Sequence, residues 1–348
     1  MKEKPEENFW TKLASEKKRN HEPIVVLAPM ADVTDAAFRR VIAKHGKPDV
    51  IWTEFVSADG LCLADARGRN VLMKDLIFTP AERPIVAQFF TSRPDIMKKA
   101  ALLARELGFD GIDINMGCPD KGIERQGAGA AMIKNPKLAR EVIRAAKEGA
   151  KGDPAKGEQD LPVSVKTRIG FNKNELDVWL PELLAENPAV ITVHARTRKE
   201  MSKVPARWEE VKRAVEIRNS IQPGMPGSKT LIFGNGDVMS VAEAKQKATE
   251  TGCDGVMLGR AIFGNPWLFS GRDPASISIE EKLKTLVEHT KLFEELLGDT
   301  KNFAIMKKHY KAYVNGWDGA KEFRMELMEA KDASEVENRV ADYLISRP

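Results

Sequence analysis

Short runs of apolar residues alternate along the chain with longer stretches in which apolar positions recur every three or four residues. The short runs are continuously apolar and rich in β-branched residues, which is typical of strands in a parallel sheet buried on both faces. Helical patterns fill the intervals between these runs, except 57–84, which is predicted to be irregular. The pattern predicts eight strands, at 24–30, 50–56, 85–90, 111–115, 162–168, 190–196, 230–236 and 254–260.

Two helix boundaries carry local signals. The segment 34–46 is predicted to be a helix with Thr34 as its N-cap and Gly46 at its end, because hydroxyl side chains favour the first position and glycine the last. Residues 240–243, "SVAE", fit a capping box, so a helix N-terminus should follow the loop after the seventh strand.

Eight strand–helix units over roughly 250 residues predict a TIM barrel, (β/α)8, at residues 23–272. The alternative fold is a doubly wound open sheet, which should carry a glycine-rich dinucleotide fingerprint directly after an early strand. The segment "GAGAA" at 127–131 lacks the third glycine and does not follow a strand immediately. The barrel is therefore the predicted fold class.

The two ends of the chain depart from the barrel pattern. After the barrel, four amphipathic helical segments follow one another without strands, which predicts a small all-α domain at 275–348. Residues 1–22 form a charged extension that includes Trp10, and the sequence does not indicate its role. The stretches 149–161 and 219–229, rich in glycine, proline and charge, are predicted surface loops.

Composition narrows the class of protein. The chain has 348 residues, of which 42% are hydrophobic and 30% charged, as expected of a soluble globular protein. No apolar run approaches the roughly 20 residues of a membrane span, and the charged N-terminus has no apolar signal core. Three cysteines without a Cys-x-x-Cys pair argue against a disulfide framework or a structural zinc site, so no metal and a cytoplasmic location are predicted. We expect a monomer, and the net charge of +4 permits a polyanionic partner without requiring one.

Polar residues concentrate at the carboxyl ends of the predicted strands, where TIM barrels place their active sites. Taken singly, each has a structural explanation: Lys166 could be a surface cation, and His194 a hydrogen-bonded core residue. Polar residues at the ends of several strands together favour a binding site, because burying so many polar groups at one end of the barrel is costly unless they bind a ligand. These positions hold Pro29, Met30, Gln88, Asn115, Cys118, Lys166, Arg168, His194, Arg196, Gly234, Asn235, Gly236, Asp237, Gly259 and Arg260.

The seventh and eighth strand ends fit a phosphate pocket. Gly234 and Gly236 would let backbone N–H groups approach a ligand closely, and Gly259 with Arg260 would add a second approach and a cation. A plain turn at "GNGD" is the alternative, because Asn-Gly is a common turn dipeptide. Cations on the fifth and sixth strands beside such a pocket suit a flavin, whose anionic reduced form they stabilise.

Several motifs together resemble one family, the tRNA-dihydrouridine synthases of the bacterial type. The resemblance spans roughly residues 24–315, keeps the family's motif order, and is most specific in the element Asn-x-Gly-Cys-Pro. The segments that carry it are "APMADVTDAAFR", "TEFVSA", "DINMGCP", "GAGAAMI", "VKTRIGF", "HARTR", "GNGDV" and "GVMLGRAIFGNPW".

The resemblance implies an enzyme with tightly bound FMN that reduces the 5,6 double bond of particular uridines in tRNA, with NADPH as reductant. Hydride would pass from the flavin to carbon 6 of uracil, and Cys118, the cysteine of "GCP", would protonate carbon 5. Asn115 and Arg196 would contact the substrate. The positions that match flavin-binding residues are Pro29, Met30, Gln88, Lys166, His194, Asn235, Gly236, Asp237, Gly259 and Arg260.

The resemblance also implies that the C-terminal helices bind tRNA. Lys307, Lys308 and Lys311 are the predicted nucleic-acid contacts, and a solvated helix face is the alternative explanation for them. They belong to a local basic cluster made of Lys301, Lys307, Lys308, His309 and Lys311.

Alternatives remain open at the level of sequence. A thiol with an ordinary pKa near 8.5 can donate a proton, whereas a nucleophilic Cys118 would need a paired base, and His194 lies two strands away. A related FMN barrel could act on a free pyrimidine, as dihydroorotate dehydrogenases do. A tRNA-binding protein that has lost catalysis would require damage at the flavin or acid positions, and those positions are intact.

Overall fold

The barrel strands form where the apolar runs predict them. The computed structural model describes residues 8–223 and 230–346. All eight strands pair in parallel in the order β1-β8-β7-β6-β5-β4-β3-β2, and a bridge between Val26 and Val50 joins β1 to β2. The predicted (β/α)8 fold is therefore confirmed. The strands are β1 Ile24–Leu27, β2 Ile51–Ser57, β3 Ile85–Phe90, β4 Gly111–Met116, β5 Val163–Arg168, β6 Val190–His194, β7 Leu231–Asn235 and β8 Gly255–Leu258.

Helices surround the barrel and continue beyond it as the four helices predicted for the C-terminal region. They are α1 Phe9–Arg19, α2 Ala36–His45, α3 Ala58–Leu63, α4 Ala66–Lys74, α5 Pro94–Glu106, α6 Lys121–Arg125, α7 Pro136–Gly149, α8 Leu176–Leu184, α9 Trp208–Ile221, α10 Val241–Thr251, α11 Ile279–Leu297, α12 Met306–Tyr313, α13 Ala320–Met328 and α14 Ala333–Ser346.

Two local predictions need correction. The interval 57–84 is not irregular, because Ser57 and Asp65 cap the short helices α3 and α4 by accepting hydrogen bonds from backbone N–H groups. The N-cap of α2 is Asp35 rather than Thr34, whose hydroxyl accepts from Met30 N at 2.9 Å and so holds the preceding loop.

The predicted loop at 149–161 agrees with the structure, whereas the loop predicted at 219–229 begins later than expected, because residues 219–221 are the last turn of α9. The chain after α7 runs as a mostly exposed loop with one short 3-10 turn through 149–161. Helix α9 extends to Ile221, and residues 224–229 of the other predicted loop lie outside the described residues. Among the described residues, no helix combines the length and the apolar character needed to cross a membrane.

The N-terminal extension packs against the amino-terminal end of the barrel. Trp10 of α1 is fully buried, and its ring lies 5.7 Å from that of Trp52 and 5.6 Å from that of Phe233. These aromatic side chains fill the barrel interior below the first residues of the strands, together with Ile24. Truncating a buried tryptophan to alanine typically costs roughly 3–5 kcal/mol of folding free energy. Helix α1 therefore closes the amino-terminal end of the barrel and stabilises it.

The C-terminal helices share a core with the barrel. Phe38 on α2 stacks on His289 of α11 with ring centroids 4.6 Å apart, and Leu27 of β1 belongs to the same apolar cluster. Tyr310 and Phe323 extend this cluster into α12 and α13. The helical region is thereby packed against the side of the barrel that carries the loop between β1 and α2.

Candidate active site

A cavity of about 270 Å³ opens at the carboxyl ends of the strands. Strand alternation points the side chains of positions such as Gln88, Asn115 and Lys166 into the barrel, while their neighbours in sequence face the helices. Apart from Gly234, every residue predicted to bind cofactor or substrate, or to donate the proton, lines this cavity. They are Pro29, Met30, Gln88, Asn115, Cys118, Lys166, His194, Arg196, Asn235, Gly236, Asp237, Gly259 and Arg260.

The turn that carries Cys118 is held from two sides. Asn115 Oδ1 accepts hydrogen bonds from Gly117 N at 3.1 Å and Cys118 N at 2.9 Å. Arg168 Nε donates to Gly117 O at 2.7 Å, and Ala130 N donates to Cys118 O at 3.0 Å. With the backbone fixed in this way, the half-buried side chain of Cys118 faces the cavity.

The environment of Cys118 favours the protonated thiol. Burial raises the pKa of the Cys118 thiol, although Lys166 and Arg168 act in the opposite direction. Among the described residues, no histidine hydrogen-bonds to its sulfur, so the pairing that would prepare a thiolate nucleophile is missing. The site therefore supports a cysteine that gives up a proton.

Lys166 presents its ammonium group to the cavity. Its Nζ lies 3.4 Å from Asn235 Oδ1, and Asn235 Nδ2 donates to Met257 O at 2.7 Å, which fixes the orientation of this amide. Burial, followed by the charge of Arg168, lowers the pKa of Lys166 to about 8. The side chain is still mostly cationic at neutral pH and can act as a charged donor.

His194 is a neutral imidazole with a defined tautomer. Burial and the cations Arg168 and Lys166 hold the pKa of His194 well below its ordinary value. Arg196 Nη1 lies 3.3 Å from His194 Nε2, and a guanidinium can only donate, so Nε2 accepts and Nδ1 carries the proton. His194 is consequently a hydrogen-bond donor at Nδ1.

Asp237 joins two arginines at the edge of the cavity. It accepts from Arg196 Nη2, from Ala206 N at 2.9 Å and from Arg260 Nη2 at 2.6 Å. Burial acts to raise the pKa of Asp237, but the bonds from Arg196 and Ala206 outweigh it and keep that pKa below its usual range. Arg196 is buried and also donates to Val204 O at 2.6 Å, whereas Arg260 is largely exposed. Arg196 thus positions its neighbours, and Arg260 remains accessible.

Two glycines at the edge of the cavity differ in the room that a side chain would have. At Gly259 an added Cβ would lie 3.7 Å from Ala28 Cβ and 3.8 Å from Met30 Sδ, which is ordinary contact. At Gly236 the backbone has φ +132°, and an added Cβ would come within 2.7 Å of Ala206 Cβ. Gly234 does not line the cavity: its added Cβ would lie 2.3 Å from the Trp208 ring, so its small size serves packing against α9.

The predicted helix start beside this loop is confirmed. Ser240 caps α10 by accepting from Glu243 N at 3.0 Å. The Glu243 carboxylate accepts from Met239 N at 2.8 Å, one residue before the position that a strict capping box would use.

The structure adds Asp113, which the sequence interpretation overlooked, to the site. This fully buried carboxylate lies beneath the cavity and accepts from Gln88 Nε2 at 2.5 Å and from the Ser164 hydroxyl. Burial raises the pKa of Asp113 to about 6. A lone charged residue inside the apolar run "GIDIN" was the signal that could have identified it.

The predicted basic cluster separates into available and unavailable members. Lys311 is exposed and Lys307 partly so, one turn apart on α12. Lys308 is half-buried, and burial lowers its pKa. Lys301 forms ion pairs with Glu54 and Asp75, and His309 is fully buried, so neither is free to contact phosphate. Within residues 8–223 and 230–346, no cluster of three acidic, histidine or cysteine side chains could hold a metal ion.

Comparison with solved structures shows the same barrel. Histamine dehydrogenase from Rhizobium sp. 4-9 matches with a TM-score of 0.50 at 13% identity, over 77% of this chain and 49% of that one. A 2-naphthoyl-CoA reductase matches with a TM-score of 0.51 at 10% identity, over 71% of this chain and 49% of that one. At these identities the likeness concerns the fold alone.

Comparison of sequences is more specific. A probable tRNA-dihydrouridine synthase 2 of Bacillus subtilis (strain 168) is 37% identical over 339 residues, covering 97% of both chains. A probable tRNA-dihydrouridine synthase of Staphylococcus epidermidis is 36% identical over 336 residues, covering 95% of this chain and 94% of its own. The family described as "Dihydrouridine synthase (Dus)" matches residues 26–346, and membership in it implies a flavin cofactor. The chain belongs to the dihydrouridine synthase family.

Proposed function

We propose that this protein reduces the 5,6 double bond of uridines in tRNA to give dihydrouridine. Two relatives named as probable tRNA-dihydrouridine synthases align with it over nearly their whole lengths. The observation that carries the proposal is the cavity itself, in which a protonated Cys118 faces the same space as Lys166 and His194. This combination of an acid with cationic and neutral donors suits reduction of a carbonyl-bearing ring beside a flavin.

The flavin in this proposal is FMN, and NADPH is its reductant. Lys166 and His194 Nδ1 supply the donors that an electron-rich flavin edge requires, and Gln88, Asn235, Pro29 and Met30 complete the walls. The phosphate would lie against Gly236, Asp237, Gly259 and Arg260. Support for this placement comes from Gly259, where an added Cβ would make only ordinary contacts, and from Arg260, which is exposed and uses Nη2 to bind Asp237.

The reduction requires one hydride and one proton for each uracil. FMN held in this cavity and reduced by NADPH would supply the hydride for carbon 6. Cys118 then donates its thiol proton to carbon 5, and the resulting thiolate recovers a proton from solvent. Asn115 uses its oxygen to hold the turn, so its amide nitrogen is the group that can bind a uracil carbonyl. Arg196 contributes by holding His194 and Asp237 in place.

The tRNA component of the proposal assigns the helical region, residues 275–348, to RNA binding and residues 23–272 to catalysis. A uridine in folded tRNA must leave its stack to reach a cavity at the end of a barrel. Lys307, Lys308 and Lys311 lie on α12 and would contact phosphates. The described cysteines are all free, which accords with action in the reducing cytosol.

The test is to incubate the flavin-loaded protein with NADPH and unmodified tRNA and to map dihydrouridine by mass spectrometry. The proposal predicts dihydrouridine at defined tRNA positions and no turnover of free orotate or uracil. Turnover of the free pyrimidines without any product on tRNA would instead support a barrel oxidoreductase of small molecules. The sequence relationship does not favour that second activity.

A further inference from the structure

Three side chains beneath the cavity form a continuous chain of hydrogen bonds. Gln88 Nε2 donates to Asp113 Oδ2 at 2.5 Å, and Asn115 Nδ2 donates to Gln88 Oε1 at 3.2 Å. Asn115 Oδ1 then accepts from the backbone N–H groups of Gly117 and Cys118. The parallel register places Gln88 beside Asp113 on neighbouring strands, so the chain is built on the rigid part of the barrel.

The chemistry of its two ends fixes the direction of this chain. An ionised carboxylate only accepts hydrogen bonds, and a backbone N–H only donates them. Asn115 must therefore turn its oxygen toward the turn, which leaves its nitrogen facing Gln88. Gln88 accordingly accepts from Asn115 with its oxygen and donates to Asp113 with its nitrogen. The carboxylate at one end and the backbone N–H groups at the other then all have hydrogen-bond partners. Neither amide can flip without breaking a bond at one end.

The fixed direction has two effects on the cavity. It keeps the oxygen of Asn115 against the turn that carries Cys118, so the thiol stays in place. It also leaves a second amide hydrogen on Gln88 and on Asn115, and both residues line the cavity. The floor therefore offers N–H donors, which complement the carbonyl oxygens of a pyrimidine ring.

Asp113 forms the inner end of this chain of hydrogen bonds, and its carboxylate determines which way the Gln88 amide is turned. It is fully buried, and the charge of Lys166 favours its ionised form. Its Oδ1 accepts from the Ser164 hydroxyl, and its Oδ2 accepts from Gln88 Nε2. Building a buried carboxylate into a strand is costly, and packing alone would be served better by an apolar residue.

Resting on the uracil reduction proposed above, we propose that Asp113 is a positioning residue for that reaction. By orienting Gln88, and Asn115 through it, its carboxylate holds the Cys118 turn and keeps both amides as donors toward the cavity. Asp113 contacts neither substrate nor cofactor in this role. If the backbone N–H groups alone oriented Asn115, Asp113 would have no influence on Cys118.

The experiment compares Asp113→Ala with Asp113→Asn in the flavin-loaded protein. Asparagine keeps a carbonyl acceptor for Gln88 and an amide donor for Ser164, so it should preserve the chain, whereas alanine removes it. The first readout is the rate of iodoacetamide alkylation of Cys118, followed by peptide mapping with Cys62 as internal reference. We expect alkylation of Cys118 at least fivefold faster in Asp113→Ala, within twofold of wild type in Asp113→Asn, and unchanged at Cys62.

A second variant covers the case in which Asp113→Ala does not fold. Gln88→Met cuts the chain at its middle link with a side chain of similar length, and it should accelerate Cys118 alkylation to a similar extent. Ser164→Ala, which leaves the bond between Gln88 and Asp113 intact, should stay within twofold of wild type. Wild-type alkylation rates in both Asp113→Ala and Gln88→Met, or equal impairment by alanine and asparagine at position 113, would overturn the proposal.

Activity supplies the second readout. Under single-turnover conditions Asp113→Ala should reduce tRNA at least tenfold more slowly than wild type, with NADPH oxidation and the KM for tRNA changed less than threefold. Asp113→Asn should restore the rate. Alkylation does not depend on turnover, so a wild-type protein inactive on tRNA would contradict the proposed function while the alkylation series still decides the role of Asp113.

Discussion

Lys301 Nζ lies 2.7 Å from Glu54 Oε2, which joins the segment between α11 and α12 to strand β2 of the barrel. The same ammonium is 2.9 Å from Asp75 Oδ1, at the end of α4. Burial raises the pKa of Glu54 to about 7 despite the nearby Lys301, and the carboxylates Glu54 and Asp75 raise the pKa of Lys301 although its own burial acts against them. The helical region is thus fastened to the barrel by a buried ion pair.

Removing the lysine should weaken this attachment. Lys301→Met leaves Glu54 and Asp75 without their cation, and breaking a buried pair in this way typically costs about 3 kcal/mol. Urea unfolding at pH 8, where Glu54 is mostly ionised, should show this loss. Lys307→Met on the neighbouring helix, which changes a partly exposed charge, should change stability by less than about 0.5 kcal/mol. Equal stabilities of the two variants would mean that the pair does not hold the helical region.

The glycines at the cavity edge give a graded prediction for cofactor binding. Gly259→Ala meets the protein only at ordinary contact distance, so the fold should tolerate it while the added methyl group occupies space proposed for the FMN phosphate. We expect an unchanged melting temperature of the apoprotein and at least tenfold weaker FMN binding by fluorescence titration. Gly236→Ala combines φ +132° with a clash at Ala206, so it should lower both the melting temperature and the affinity for FMN. Undiminished FMN affinity in Gly259→Ala would exclude the proposed phosphate position.

A buried histidine pair predicts how stability responds to acid. His289 and His309 lie with ring centroids 4.6 Å apart, and none of their ring nitrogens has a hydrogen-bond partner among the described residues. Burial holds the pKa of His289 well below its ordinary value and lowers that of His309 to about 3. In the unfolded chain these imidazoles take up protons near pH 6.5, whereas in the folded protein they stay neutral at that pH. Stability should therefore fall as pH decreases from 6.5 toward 4.

His309→Leu isolates this effect. The substitution removes one proton from the difference between unfolded and folded states, which lowers the slope of unfolding free energy against pH by up to about 1.4 kcal/mol per pH unit below pH 6. Urea titrations of wild type and variant at pH 4.5, 5.5 and 6.5 would measure that slope. Parallel curves for the two proteins would show that His309 is protonated in the folded state.

The lysines on α12 should govern the salt dependence of tRNA binding. If Lys307 and Lys311 each neutralise a phosphate, the double variant to glutamine should reduce the slope of log affinity against log salt by about 2. Lys284→Gln serves as the matched control, because Lys284 already pairs with Glu280 at 2.6 Å on an exposed face of α11. Identical slopes for wild type and the double variant would assign these lysines to a solvated surface.

Much of the architecture follows from local pattern, and the exceptions have physical causes. The eight strands are continuous apolar runs, and the residues at their ends converge because parallel strands present their carboxyl ends at one edge. Helices α3 and α4 escaped prediction because they are short and depend on single side-chain caps.

Contacts distant in sequence account for the remaining gaps. The burial of Trp10 under the barrel and the pairing of Lys301 with Glu54 join residues far apart in sequence, and no periodicity signals either contact. Arg196 was expected at the substrate, and that role remains a prediction; the donors it spends on Val204, His194 and Asp237 favour positioning. These hydrogen bonds depend on how the neighbouring loops fold, so the sequence alone does not reveal them.

The central claim, that Cys118 protonates uracil during reduction of tRNA, is tested most directly by Cys118→Ala. The flavin-loaded variant is reduced with NADPH, mixed with unmodified tRNA in a single turnover, and the dihydrouridine formed is quantified by mass spectrometry, with Cys62→Ala as the matched control. We predict flavin reduction at the wild-type rate and at least 100-fold slower dihydrouridine formation in Cys118→Ala, the lower end of what a general acid contributes, about 10²–10⁴-fold. Dihydrouridine formed by Cys118→Ala at the wild-type rate would contradict the assignment.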